Sequence, residues 1–409
     1  MLSNGRPDWY KWNVLLLIIC LWIGWHYWIY AFISSTPFSL LGAQGLPPPR
    51  YGTDFYGDYI AAKSWLSHGN PYIVNSQPTS FIYAPTSLPF YAVFTLIPFE
   101  SASQLWVIAS LSIFAVGLLG LALTLHDDRR WVYVSLALLL FLTSYPLLVN
   151  FQLGQNDLLL TGLLILSLAC ERLNLRFLSA GLLSIATILK GPAVLLLIYF
   201  VLFRRDLQYL IRFLVSTLLI VGTSLLVVPF SLYSYWTWNV LPTFSTAISL
   251  NTDPSFLLYP NESVIGLLVL AHLSQITLAV SVTAWVLFGV FSVWVTSKKI
   301  PSGHGLLSAD AMFLMNILVI LLFSPRNTIY PYVGVILPLA LFLSALLIER
   351  VNLGYLTLVA FGTLLLNSVL SPSFLYTPIL LPLELIGGLI LIISLIPIFI
   401  RPSLIFKKA

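Results

Sequence analysis

The chain has 409 residues, 59% of them hydrophobic and only 8% charged, with 19 Lys and Arg against 14 Asp and Glu for a net charge of +5. Soluble domains carry about a quarter of their residues as charges, so this composition excludes a cytosolic enzyme, a nucleic-acid reader and a disordered scaffold. It fits an all-α polytopic membrane protein of about twelve spans, each about 20 residues long, without room for a sizeable soluble domain.

In chain order, apolar runs bounded by charges or turn residues predict helices near 12–34, 102–125, 131–149, 156–170, 177–190, 191–203, 207–230, 274–297, 306–323, 329–348, 353–370 and 380–400. They must be helices, because backbone polar groups left unpaired in lipid exclude an open sheet. The first run is too long for a signal-peptide core and lacks a small-x-small cleavage site, so it is expected to remain as a span. Cys20 and Cys170 both fall in apolar runs, so neither a disulfide framework nor a metal-thiolate site is expected.

Between the first two spans lies an outer loop, 35–101. Its stretch TDFYGDYIAAKSWLSHGNPY (53–72) predicts a helix from Thr53 or Asp54 that stops at Gly69-Asn70-Pro71. The following YAPTSLPFYAVFTLIPF (83–99) is apolar, broken by prolines and short, which suits a helix lying along the membrane interface. A second outer segment, 231–273, is rich in Trp and Tyr, as interface belts are. The weakest prediction is the pair 177–190 and 191–203, since a 14-residue helix rises only about 21 Å. Joined by a turn at Gly191-Pro192, the pair leaves Lys190 below the outer surface, inside a protein cavity.

With the N-terminus inside, Arg6, Lys11, Arg129, Arg130, Arg172, Arg176, Arg204, Arg205, Arg212, Lys298, Lys299, Arg350, Arg401, Lys407 and Lys408 all fall on the cytoplasmic side. Only Arg50, Lys63, Lys190 and Arg326 are left at or near the outer face, a strong positive-inside asymmetry. It orients a multi-pass protein, expected in the plasma membrane with its active site on the extracytoplasmic face.

Ionisable residues on one face of so uncharged a chain are functional candidates. Asp54 and Asp58 are four residues apart, which on a helix places both on one face. Asp54 reads either as a helix cap with Asp58 solvated, or as a general base that takes a proton from an acceptor hydroxyl. Lys190 reads either as a snorkelling helix-end lysine or, with Arg326 of FSPRNTIYPY, as a cationic grip for a phosphate or pyrophosphate. In NFQLGQND (150–157), Gln155 and Asn156 can hydrogen-bond sugar hydroxyls, or simply make a polar turn. Trp65, Tyr56, Tyr59 and Tyr72, beside the aspartates, are candidate cavity walls. Five scattered His residues give no metal-ligand spacing, and no P-loop or dinucleotide fingerprint occurs, so neither a metal nor another cofactor is expected.

Taken together, DFYGDYIAAKSWLSHGNPY, FIYAPTSLPF, LGQND, AGLLSIATILKGPAVLLLIYFVLFRR, PNESVIGLL and FSPRNTIYPYVGVILP resemble, in order and spacing, the motifs of the polyprenyl-phosphate-dependent glycosyltransferases of the GT-C type, specifically the GT87 family, which includes mannosyltransferases. The resemblance implies a GT-C-like fold with interfacial helices in the first outer loop. It also implies a polyprenyl-phosphate-linked sugar donor, a lipid or polysaccharide acceptor, and a catalytic Asp at the position of Asp54. Asp58 stands where relatives usually have Tyr. Asn261, in the family's Asn-x-Ser segment, joins Asp58, Tyr59, Tyr72, Gln155 and Asn156 as expected substrate-binding residues, and Lys190 and Arg326 are expected at the donor phosphate. The chain reads as one domain, 1–409, with a catalytic module to 230 and a more variable helical module after it. The competing reading is a polytopic transporter or lipid flippase, which would place ionisable residues at the bilayer midplane between related halves.

Overall fold

The computed structural model describes residues 53–74, 77–78, 81–242, 263–265, 268, 273–298, 305–324, 330–348, 351–366, 383–400 and 405. The expected span 12–34 lies outside the described residues, as do Arg50, Asn261 and Arg326.

After helix α1 (Thr53–Leu66) come a two-residue antiparallel ribbon, β1 (Ile73–Val74) with β2 (Gln77–Pro78), and the short α2 (Leu88–Ala92) flanked by 3-10 turns. Long helices follow: α3 (Phe99–Leu123), α4 (Asp127–Thr143), α5 (Tyr145–Leu153), α6 (Asp157–Arg172), α7 (Arg176–Leu189) and α8 (Leu207–Ser224). The second part holds α9 (Phe230–Tyr235), α10 (Thr277–Ser297), α11 (Gly305–Leu322), α12 (Ile336–Ile348), α13 (Leu353–Leu366) and α14 (Leu383–Ile400).

Four helices among the described residues are long and apolar enough to cross a membrane: Phe99–Leu123, Leu207–Ser224, Thr277–Ser297 and Pro331–Ile348. Five apolar helices are shorter, including Arg176–Leu189 and Gly191–Phe203. The protein is an all-α membrane protein, and the count of twelve full-length spans does not follow from its helix lengths. The reason is local chemistry. The predicted run 131–149 breaks where Ser144 leaves helical geometry ahead of Pro146, and its hydroxyl accepts from Leu147 N–H to cap a separate α5. The run 191–203 is wound as a 3-10 turn followed by a π-helical turn, set off by the extended Lys190 and by Pro192.

Helix packing follows membrane rules, in which small residues permit close approach. α3 and α6 touch through Gly117 and Gly162, where an added Cβ would come within 2.5–2.6 Å of the opposing backbone. α13 and α14 meet the same way at Gly362 and Gly387. Hydroxyls bind α6, α7 and α8 together: Ser167 and Ser179 each donate to the other's carbonyl (2.9 and 2.7 Å), and Tyr209 shares its hydroxyl with both.

The segment after Lys190 runs back toward the end at which α7 begins. Arg176 pairs with Asp206 at 3.4 Å and Arg204 with Glu171 at 3.2 Å. The Trp- and Tyr-rich α9 region packs onto the first loop: Trp236 donates to Ile82 O (3.0 Å), Thr86 and Tyr233 share a hydrogen bond, and Tyr72 stacks on Tyr235.

One charge cluster sits at the end of α6 remote from its first turn. Asp310, fully buried on α11, is held between Arg129 of α4 and Arg172 of α6. Arg129 also donates to Ser344 Oγ (3.1 Å) and Leu341 O (2.9 Å) on α12. Arg129 and Arg172, expected on the cytoplasmic side, thus also bind an acid between helices. A fully buried carboxylate requires cationic partners, and the two largely covered guanidiniums supply them.

Candidate active site

The site is assembled from the start of α1, the turn before α6 and the end of α7. α1 is seated by Phe55, which is fully buried and stacks on Trp106 of α3 at 5.0 Å, with Phe94 edge-on at 5.6 Å and Phe99 beside it. Anchoring Phe55 fixes the direction of its neighbour Asp54. Tyr59 continues the same face, its hydroxyl donated to Ile97 O at 2.9 Å. Tyr72 likewise donates to Tyr83 O at 2.9 Å, so backbone carbonyls hold the hydroxyls of these two expected wall residues.

α5 ends at Gly154, whose φ of 68° places it in the left-handed region where glycine carries no steric penalty. Gln155 N–H bonds Asn150 O, and Gly154 N–H bonds Phe151 O, the paired pattern of a Schellman ending. Trp106 Nε1 donates to Gly154 O at 2.9 Å, so the indole that stacks on Phe55 also holds this turn. The sharp reversal then presents Gln155, Asn156 and Asp157 in succession.

Their side chains reach three targets. Gln155 Nε2 donates to the Asp54 carboxylate, Asn156 Nδ2 donates to Leu189 O at 3.4 Å, and Asp157 Oδ1 pairs with Lys190 Nζ at 2.5 Å. Lys190 adopts an extended backbone just past α7, which releases its side chain from the helix and points it at the start of α6. Asp54 feels Lys190 and Asp157 directly. The structure thus gathers Asp54, Asp58, Gln155, Asn156 and Lys190 with Asp157, an ionisable residue of the outer side, and adds Tyr91, which the sequence did not single out.

Three carboxyls against one ammonium require unequal ionisation. Burial pushes the Asp54 carboxyl up to about 6, with Lys190 pulling it down and Asp157 pushing it up. Asp58 is raised well above its ordinary value, first by burial and then by Asp54. Asp58 is only 7% exposed, so it is not a solvated helix-surface acid. Burial and then Asp58 hold the Tyr91 hydroxyl far above its ordinary value, so it remains protonated.

Arg326 and Asn261 lie outside the described residues. Ser263 donates to Ser324 O at 3.4 Å. The turn Tyr330–Val335 packs on α5 and α6, with Gly334 facing Thr161.

No curated protein and no solved structure matches the chain. Its residues 81–325 match the family model of glycosyltransferase family 87. That match spans Tyr91, Gln155, Asn156, Asp157 and Lys190, and begins after Asp54 and Asp58. Membership in a transferase family sets aside the transporter reading. The chain belongs to glycosyltransferase family 87 and is a membrane glycosyltransferase.

Proposed function

We propose that the enzyme moves a sugar, mannose being the first to try, from a polyprenyl-phosphate donor to a hydroxyl of a lipid or glycan at the outer face of the plasma membrane, with Asp54 as general base. The observation that carries this reading is the meeting of Asp54 with Gln155 and Lys190, residues more than a hundred positions away in sequence. A carboxyl near 6 is ionised at neutral pH yet basic enough to accept a proton during attack.

In the proposed step the acceptor hydroxyl gives its proton to Asp54 as its oxygen bonds to the anomeric carbon. The bond from that carbon to the phosphate oxygen breaks, and the electron pair leaves with the polyprenyl phosphate. Cations that meet the departing charge remove the need for a general acid. Lys190, which pairs with Asp157, is the first cation proposed at the phosphate. Arg326 is the second cation proposed at the phosphate. A single displacement inverts the anomeric centre. The outer orientation rests on the charge asymmetry, since Lys190 and Asp54 lie at the end of α6 and α7 opposite Arg172, Arg176 and Arg204.

Anomeric inversion is checked by NMR of the product formed by purified enzyme from a polyprenyl-phosphate mannose of known anomeric form. A product of retained configuration contradicts the single-base mechanism.

A further inference from the structure

Three buried polar atoms at this site make no hydrogen bond of good geometry: the Tyr91 hydroxyl, Asn156 Oδ1 and Asp157 Oδ2. The residues are 0%, 2% and 3% exposed and come from three stretches of chain: α2, the turn after α5, and the first turn of α6. They share one locality, for the Tyr91 hydroxyl is in poorly aligned hydrogen-bonding reach of Asp58 and Asn156 and within the field of Asp157. The amide of Asn156 is oriented by its Nδ2 bond to Leu189 O, so its oxygen is the end left over. Asp157 spends its other oxygen on Lys190. Native interiors rarely leave one such atom unpaired, and three together point to an occupant.

The chemistry of these atoms limits what that occupant is. Asn156 Oδ1 and Asp157 Oδ2 can only accept, whereas the Tyr91 hydroxyl can donate or accept. The occupant must therefore offer at least two donors. A phosphate, all acceptors and anionic, would face two acceptors and is repelled. A hydrocarbon tail leaves all three atoms unpaired. Among the described residues no group of His, Cys, Asp and Glu is arranged to hold a metal ion. Adjacent hydroxyls on a sugar ring satisfy all three atoms, each hydroxyl donating once and accepting once.

We propose that Tyr91, Asn156 and Asp157 form a hydroxyl-binding subsite for a sugar ring, next to the Asp54 base. This rests on the transferase reading above and deepens it. The ring is either that of the donor or that of a glycan acceptor, and the experiment separates the two.

Full-length protein in nanodiscs is titrated with undecaprenyl phosphate, with undecaprenyl-phosphate mannose, glucose and galactose, and separately with the three methyl glycosides. Tyr91→Phe is the decisive variant, because it removes one hydroxyl and keeps the ring that packs on Tyr83 and Trp106. Asn156→Ala serves if that variant does not fold. In the wild type at least one sugar is expected to bind about ten-fold more tightly as the lipid phosphate than undecaprenyl phosphate does, or as the free glycoside to bind measurably. Tyr91→Phe should remove most of that gain, the size of one or two hydrogen bonds, and leave the affinity for undecaprenyl phosphate unchanged. Loss in the lipid-phosphate arm assigns the subsite to the donor, and loss in the glycoside arm to the acceptor. A sugar-dependent gain that survives in Tyr91→Phe, or no gain for any sugar, overturns the subsite and leaves resident water as the occupant. Undecaprenyl phosphate binding that Lys190→Ala abolishes keeps the donor reading even then. Glycoside binding sensitive to Tyr91 without any lipid-phosphate binding keeps the subsite and defeats the donor reading.

Discussion

A carboxyl placed out of water resists ionisation, and at Asp54 that resistance is tuned by two neighbours of opposite sign. Burial and Asp157 raise it, Lys190 lowers it, and it comes to rest near 6 from an ordinary 3.8. Only the unprotonated form can act as base, so kcat/KM should fall as pH drops through about 6 and level off above it. Lys190→Met removes the one stabilising cation identified beside Asp54, so this acid limb should move to higher pH, while KM for a polyprenyl-phosphate sugar rises. A pH profile of purified enzyme checks both, and a flat profile through pH 6 contradicts the account. Asp54 and Lys190 are legible in sequence because ionisable residues stand out in an apolar chain. Tyr91 is not, since a tyrosine in an aromatic stretch looks like its neighbours until its hydroxyl is seen beside Asp58.

At the scale of the element, α1 is held by aromatic contact more than by its own amphipathicity. Phe55→Ala removes the ring between Trp106 and Phe94 and should cost about 3–5 kcal/mol. Activity should fall with it, because Asp54 loses its register against Gln155. Thermal unfolding in nanodiscs measures the first effect, and an unchanged midpoint argues that Phe55 is not the anchor. Asp310→Asn leaves two largely covered guanidiniums around a neutral amide and should destabilise by about 3 kcal/mol. Activity per folded molecule should be retained, since Asp310 lies at the other end of α6 from Asp157. Equal stability of this variant and the wild type would show that the cluster is not buried as described. Asp310 itself was readable: it is an acid inside the apolar run 306–323. Its partners were not, because pairing across α4, α6 and α11 is a tertiary fact that hydropathy does not carry.

For the molecule as a whole, most helix positions follow from the apolar runs, since lipid leaves few alternatives to helix. Lengths follow less well. Ser144 with Pro146 divides one predicted span, and the stretch after Lys190 winds in non-α turns. Such breaks are tolerated where neighbouring protein satisfies the freed backbone, so they depend on packing that a hydropathy window does not see. Orientation is a whole-molecule property and can be tested as one. In intact cells, a membrane-impermeant thiol reagent should label Ser67→Cys, exposed near the end of α1. Leu173→Cys, exposed at the far end of α6, should label only after permeabilisation. The reverse pattern would put the site on the cytoplasmic side.

The central claim concerns one proton and the residue that receives it. Asp54→Asn keeps the size of the side chain and its contact with Gln155 but cannot accept that proton. With full-length protein in nanodiscs and radiolabelled polyprenyl-phosphate sugar, its turnover should fall by about 10²–10⁴-fold, with the unfolding midpoint and undecaprenyl phosphate binding retained. Turnover near that of the wild type would remove Asp54 as the base.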